Sequence, residues 1–210
     1  MDKHAQQRAV RHYGLLWKLI MPLVHLMLYI RAVRGKEDSV RLSERRGSKW
    51  QETRPDGRLV WLHAVSVGEG IAARTLADAL LNLRGDVAVL ITTNTVTAAS
   101  EIQKTNEKWH GRCLHSYQPL DHKKWVGRFL DYWRPNCAVF LESDFWPMLI
   151  TETHARDIPV LFASAQLSRR SYKNWQRRKT LAAAMFGCAC RIYCVDDTQN
   201  AIFASLRSDV

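Results

Sequence analysis

Residues 59–70 read Leu59-Val60-Trp61-Leu62-His63-Ala64-Val65-Ser66-Val67-Gly68-Glu69-Gly70, and the reading of the fold turns on them. The run LVWLHAV is apolar or aromatic apart from one histidine, the composition of a strand buried on both faces. A Ser-Val-Gly turn follows, and then IAARTLADALLNL, whose apolar residues recur at helical spacing. A strand passing through a short turn into an amphipathic helix is half of a βαβ unit. Such a turn lies at the carboxyl end of its strand, where open α/β sheets place their ligands. Glu69 stands there at the head of the helix, where the helix dipole favours its ionised form. An ionised, positioned carboxylate can take a proton from a hydroxyl. The same glutamate can equally do no more than cap its own helix, and this stretch alone leaves both readings open.

Working outward, the alternation repeats. VAVLITT (87–93), CAVFLES (137–143), IPVLFAS (158–164) and RIYCV (191–195) read as strands, with RCLHSYQ (112–118) as a weaker one. Helical patterns fall between them at 97–109, 122–133, 145–156 and around 175–186. Thr95 or Thr97 can cap one helix, and Gly85 closes another. Strand–helix alternation at this spacing predicts right-handed crossovers and a Rossmann-like, mostly parallel sheet with flanking helices. Neither a Gly-x-Gly-x-x-Gly nor a Walker Gly-Lys-Ser/Thr is present, so dinucleotide and P-loop roles lose their main support. The polar side chains gather at the predicted carboxyl ends: His63, Ser66 and Glu69; Thr92, Thr93, Asn94 and Thr95; Glu142, Ser143 and Asp144; Ser164 and Gln166. Each also has a purely structural reading, as a helix cap or an acceptor of backbone hydrogen bonds.

Composition bounds the rest. The chain of 210 residues is long enough for a sizeable core, and 47% hydrophobic content argues against global disorder. A net charge of +11 points to a polyanionic partner: nucleic acid, an anionic membrane or a phosphorylated substrate. Five cysteines, at 113, 137, 188, 190 and 194, lack zinc-site spacing, and an odd count without a cleavable signal fits a reducing cytosol.

The first 60 residues differ in character. GLLWKLIMPLVHLMLYI (14–30) is at the short limit for crossing a bilayer and is flanked by Arg8, Arg11, Arg31, Arg34 and Lys36. Two readings stand, a membrane-spanning or interfacial anchor with basic flanks on anionic headgroups, and an amphipathic helix of a soluble domain. The flanks favour the membrane. Residues 36–57 read as a polar connecting segment holding a short helix, SVRLSERRG. Its arginines are expected to form a solvated face or to meet lipid phosphates. The chain thus divides into an anchor helix (1–35), a connector (36–57) and a Rossmann-like domain (58–210).

The ordered motifs resemble the amino-terminal domain of bacterial 3-deoxy-D-manno-octulosonic acid (Kdo) transferases, glycosyltransferase family 30. His63-Ala64-Val65-Ser66-Val67-Gly68-Glu69 resembles that family's HAVSVGE. Thr92-Thr93-Asn94-Thr95 with Ser100 resembles its Thr-rich loop, and Pro119-Leu120-Asp121 its Pro-x-Asp turn. Arg134-Pro135 followed by CAVFLESDFWP resembles its strand ending in Glu-x-Glu-x-Trp-Pro. Ala165, Leu167, Ser168 and Ser171 resemble its Asn-Ala-Arg-Leu-Ser-x-x-Ser segment. The resemblance implies transfer of Kdo from CMP-Kdo to a lipid A precursor, lipid IVA, with inversion and without metal or cofactor. It implies a glycosyltransferase B fold whose amino-terminal half holds the acceptor at the cytoplasmic face of the inner membrane. Glu69 matches the base. Substrate-binding roles fall to Ser66, Gly68, Thr93, Thr95, Glu142, Asp144, Ser164, Gln166 and Arg169. Most donor contacts belong to a carboxyl-terminal domain beyond this chain, so the chain alone is expected to be incomplete for turnover.

The departures are specific. Asp144 replaces a glutamate, Ser164-Ala165-Gln166 replaces Asn-Ala-Arg, Arg170 replaces an acid and Met148 replaces an asparagine. Ser168–Lys179 carries six cations and no acid. It reads as a solvated helix face or as a site for lipid phosphates. Nucleic acid ranks below these as a partner, because no recognition motif accompanies the tract. A non-catalytic basic module that binds anionic lipid or a partner enzyme is the alternative from another class.

Overall fold

The structure, a computed structural model, describes residues 2–142 and 144–207, with the side chains of 104–107 outside that description. In chain order the elements are α1 (Lys3–Val33), β1 (Arg58–His63), α2 (Val67–Leu83), β2 (Val87–Thr93), α3 (Val96–Lys108), β3 (Cys113–Tyr117) and α4 (Lys123–Trp133). They continue with β4 (Cys137–Leu141), α5 (Pro147–His154), β5 (Val160–Ala165), α6 (Arg169–Gln176), α7 (Lys179–Phe186), β6 (Ala189–Cys194) and α8 (Asp197–Arg207). The six strands form one sheet in the order β3-β2-β1-β4-β5-β6, and every pairing is parallel. The order reverses direction at β1, which pairs with β2 on one side and β4 on the other. The carboxyl ends of β1 and β4 therefore flank the topological switch point, where this sheet class opens a crevice.

Period-two alternation divides the core. Ala88 and Leu90 of β2 face a large cluster with Trp61, Phe140 and Phe162, covered by α4, α5, α7 and α8. Val89 and Ile91 face the opposite cluster, built on Ala73, Ala77 and Leu81 of α2 and Ile102 of α3. The small alanines of α2 let that helix lie close on the sheet. The predicted helix around 175–186 is two helices, α6 and α7, broken at Arg177-Arg178. Tyr172 and Trp175 of α6 turn inward against the core while its cations stay outside.

The connector departs most from expectation. The short helix expected over SVRLSERRG is a single 3₁₀ turn, Glu44–Arg46. Arg41 and Arg45 form no solvated face, being 5% and 3% exposed. The reason lies at the outer edge of β3, whose backbone needs partners. Arg41 donates to the His115 carbonyl at 2.9 Å, and Glu44 Oε2 accepts from the Tyr117 amide at 2.8 Å and from the Ser116 hydroxyl at 3.2 Å. The two side chains pair with each other through Arg41 Nε and Glu44 Oε1 at 2.9 Å. Side chains thus take the place of a seventh strand. Gly47 closes the turn at φ 61°, and a Cβ there would come within 2.2 Å of the Trp125 carbonyl oxygen, so only glycine fits.

Helix α1 is long and apolar enough to cross a membrane by length and composition. It packs along α7 and α5, burying Trp17, Val24 and Leu28. Leu16, Leu19, Leu23, Leu26 and Val33 stay exposed on another face.

Candidate functional site

The β1–α2 turn is built by a reciprocal cap. Ser66 is the N-cap of α2 and its Oγ accepts from the Glu69 amide at 3.2 Å. Glu69 Oε2 in turn accepts from the amides of Val65, at 2.5 Å, and Ser66, at 3.2 Å. The motif spacing Ser-x-x-Glu produces this capping box directly. Glu69 is 6% exposed, yet its carboxylate lies on backbone amides at a helix start rather than in hydrocarbon. Among the described residues, no hydrogen bond engages its Oε1. Ser66 and Gly68 are exposed on the same turn.

Thr92 and Thr93 point to opposite faces of β2, as alternation requires. Thr93 is fully buried, and its hydroxyl is paired with His115 Nε2 at 2.9 Å. Burial, with Arg41 and Arg45 adding to it, holds the His115 imidazole well below its usual pKa. Thr92 Oγ1 instead meets the Trp61 indole at 2.8 Å and His63 Nδ1 at 2.8 Å. Thr95 caps α3, accepting from the Ala98 amide at 3.2 Å. Asn94 is held by Arg45, whose guanidinium donates to the Asn94 side-chain oxygen at 2.5 Å and to its carbonyl at 2.6 Å. Arg45 also pairs with Glu37 at 3.0 Å, and Glu37 with Arg31 at the end of α1 at 2.7 Å. Burial lowers the Arg45 pKa, opposed by Glu37. Residue pattern alone missed this link between connector and loop.

Across the switch point, Asp144 follows β4. Its Oδ2 accepts from the Trp146 indole and lies 3.3 Å from His63 Nε2. Glu142 and Ser164 both hold left-handed backbone, at φ 57° and 52°, at the ends of β4 and β5. For residues with a Cβ this conformation costs on the order of 1 kcal/mol or more each, and such strain gathers at functional sites. Gln166 reaches Glu142, Nε2 to Oε2, at 3.5 Å. Ser143 lies outside the described residues. The structure therefore joins His63 with Asp144 and Glu142 with Gln166, while the hydrogen bonds of Glu69 stay within its own turn.

Two further features surround this rim. Asp121, from the Pro-x-Asp turn, is buried and accepts from the Met148 and Leu149 amides at 3.1 and 2.7 Å, capping α5 from afar. It also accepts from the Tyr13 hydroxyl of α1 at 2.8 Å. On α6, capped by Ser168, Arg169 and Arg170 join Lys173, Asn174 and Arg177 around an open depression of about 520 Å³.

Comparison with known proteins agrees with the motif reading. A family model described as 3-deoxy-D-manno-octulosonic-acid transferase (kdotransferase) matches residues 40–209. The chain is 38% identical over 165 residues to a probable 3-deoxy-D-manno-octulosonic acid transferase, mitochondrial, of Arabidopsis thaliana, covering 79% of this chain and 36% of that one. It is 33% identical over 171 residues to the 3-deoxy-D-manno-octulosonic acid transferase of Rickettsia bellii, covering 81% and 40%. For the enzyme of that name from Haemophilus influenzae the figures are 28% over 194 residues, 92% and 45%. The chain thus spans less than half the length of these relatives. With the family model covering most of its length, the chain belongs to the 3-deoxy-D-manno-octulosonic acid transferase family.

Proposed function

We infer that this chain is the acceptor-binding half of an inverting, metal-independent Kdo transferase of glycosyltransferase B architecture. Its donor is CMP-Kdo and its acceptor the phosphorylated lipid A precursor. One observation carries the reading: a carboxylate fixed through one oxygen at the carboxyl end of β1, beside the switch point, with the other oxygen uncommitted among the described residues. Glu69 Oε1 takes the proton of the acceptor hydroxyl. The hydroxyl oxygen attacks the anomeric carbon of Kdo from the face opposite CMP, the bond to the phosphate oxygen breaks, and CMP leaves. Ser66 and Gly68 line the turn, and Thr95, Glu142, Asp144, Ser164 and Gln166 hold the acceptor around it. Thr93, one of the residues expected to bind substrate, is fully buried against His115 and so does not face the acceptor. Most donor contacts come from a second domain.

The acceptor is a membrane lipid, and α1 suits such a surface. Its exposed stripe of Leu16, Leu19, Leu23, Leu26 and Val33 inserts into the cytoplasmic leaflet of the inner membrane while the opposite face stays on the domain. Arg31, Arg34 and Lys36 then meet anionic headgroups. Arg169 and its neighbours on α6 take the acceptor phosphates, for which the guanidinium fork is suited.

The test supplies the chain with a complementary carboxyl-terminal domain, labelled CMP-Kdo and lipid A precursor. Wild type gives product, and Glu69→Gln loses about 10²–10⁴-fold in rate with its fold intact. Transfer retained in that variant rejects Glu69 as the base. The capping box favours one other reading, since it stabilises α2 with no chemistry at all: a non-catalytic basic module. Binding to lipid A precursor vesicles with no transfer by the wild-type pair selects that reading.

A further inference from the structure

We propose that His63 is a positioning residue that, as the neutral Nε2–H tautomer, fixes the carboxylate of Asp144 at the rim of the site. It rests on the preceding reading only in taking that rim to receive a sugar hydroxyl.

The argument follows the direction of each hydrogen bond. The Trp61 indole N–H can only donate, so Thr92 Oγ1 accepts from it at 2.8 Å. An ionised carboxylate only accepts, so the proton in the 3.3 Å contact between His63 and Asp144 belongs to Nε2. With the ring neutral, Nδ1 is then an acceptor, and the Thr92 hydroxyl donates to it at 2.8 Å. The chain Trp61, Thr92, His63, Asp144 closes with the Trp146 indole donating to the same carboxylate oxygen. Every donor in it has one acceptor.

The burial of its members assigns the roles. Trp61, Thr92 and His63 are 0% exposed, whereas the Asp144 side chain is 24% exposed. Of these four, only Asp144 reaches solvent. His63 has both nitrogens occupied and cannot touch a substrate, so its effect passes through Asp144. Oδ2 carries both donors, and among the described residues no hydrogen bond engages Oδ1, which leaves that oxygen to accept from a hydroxyl. The chain draws on β1, β2 and the β4–α5 loop, so it ties the two strand ends that flank the switch point to the neighbouring β2. A histidine placed merely to fill the core has no need of this ordered polarity.

The test uses the 210-residue chain. Nitrogen-15 spectra of the His63 ring are expected to show the Nε2–H tautomer at neutral pH. An Nδ1–H tautomer or an imidazolium there overturns the proposal, and this measurement needs no variant. The Trp146 indole N–H resonance reports the placement of Asp144. It is expected to move in His63→Leu, which removes the donor, and to stay near its wild-type position in His63→Gln, whose amide can still donate. A Trp146 signal unmoved in a folded His63→Leu overturns the proposal. In the complemented transfer assay kcat/KM is expected to fall about tenfold in His63→Leu, the loss of one charge-assisted hydrogen bond, and to recover in His63→Gln. An absence of transfer by wild type rejects the functional reading and leaves the spectroscopic result to stand by itself.

Discussion

Two polar stretches of this molecule hold their charges in opposite ways. In residues 65–70 the partners of Glu69 are amides three and four residues away, and the arrangement is complete within one turn. In residues 37–47 the local pairs Arg41–Glu44 and Arg45–Glu37 also reach partners far off in sequence: Asn94 is 49 positions from Arg45, Tyr117 73 positions from Glu44, and His115 74 positions from Arg41. The first stretch is locally self-sufficient and, among the described residues, leaves a carboxylate oxygen over. The second holds Arg41, Glu44 and Arg45 between local ion pairs and the edge of β3 with the Asn94 loop. A charge satisfied locally stays available for chemistry; one satisfied at long range is committed to the fold.

Three substitutions can break or sharpen this contrast. Glu44→Ala comes first, because it strands Arg41 and the Tyr117 amide in a buried place. It is expected to cost about 3–5 kcal/mol in urea unfolding. The double change Arg41→Met with Glu44→Leu should recover much of that, since a buried ion pair replaced by apolar groups is often near neutral. A single-variant loss below about 1 kcal/mol would place the stretch with ordinary surface charge.

Asp121 gives the next effect, read through pH. Burial pushes its carboxyl from 3.8 up to about 6. The folded state thus holds the proton more tightly than the unfolded one. This group's contribution is fully present below about pH 4 and is lost as pH rises through about 6, by roughly 3 kcal/mol. Asp121→Asn is expected to remove that slope between pH 4 and 7 in denaturant titrations. An unchanged slope would assign the dependence to other groups.

The smallest effect belongs to the local stretch. Ser66→Ala removes one arm of the capping box and is expected to cost about 1 kcal/mol. For a chain of this size that lowers Tm by about 2–4 °C. A loss as large as that of Glu44→Ala would show that the turn is not self-contained.

The same contrast explains what was legible in the sequence. β2 begins and ends where the apolar run VAVLITT does, because a strand buried on both faces advertises itself as a continuous apolar run. The Ser-x-x-Glu box of α2 is legible because its spacing is its mechanism. Arg41, Glu44 and Arg45 read as a solvated segment because charge suggests water, and nothing within a window of ten residues reveals partners 49–74 positions away. His63 and Asp144 were both named from their strand ends, but their pairing, 81 positions apart, needed the β1–β4 register. The break between α6 and α7 at Arg177-Arg178 has no glycine or proline to announce it.

Helix α1 is fastened along its flank rather than at its tip. Tyr13 reaches Asp121, which caps α5, and α5 begins beside the tryptophan that grips Asp144. A tether of flexible residues would let the domain bob and swivel above whatever holds the helix. A keel bonded to the hull permits neither. On a surface that takes up the Leu19–Val33 stripe, the height and tilt of the carboxyl-end rim would follow from this packing.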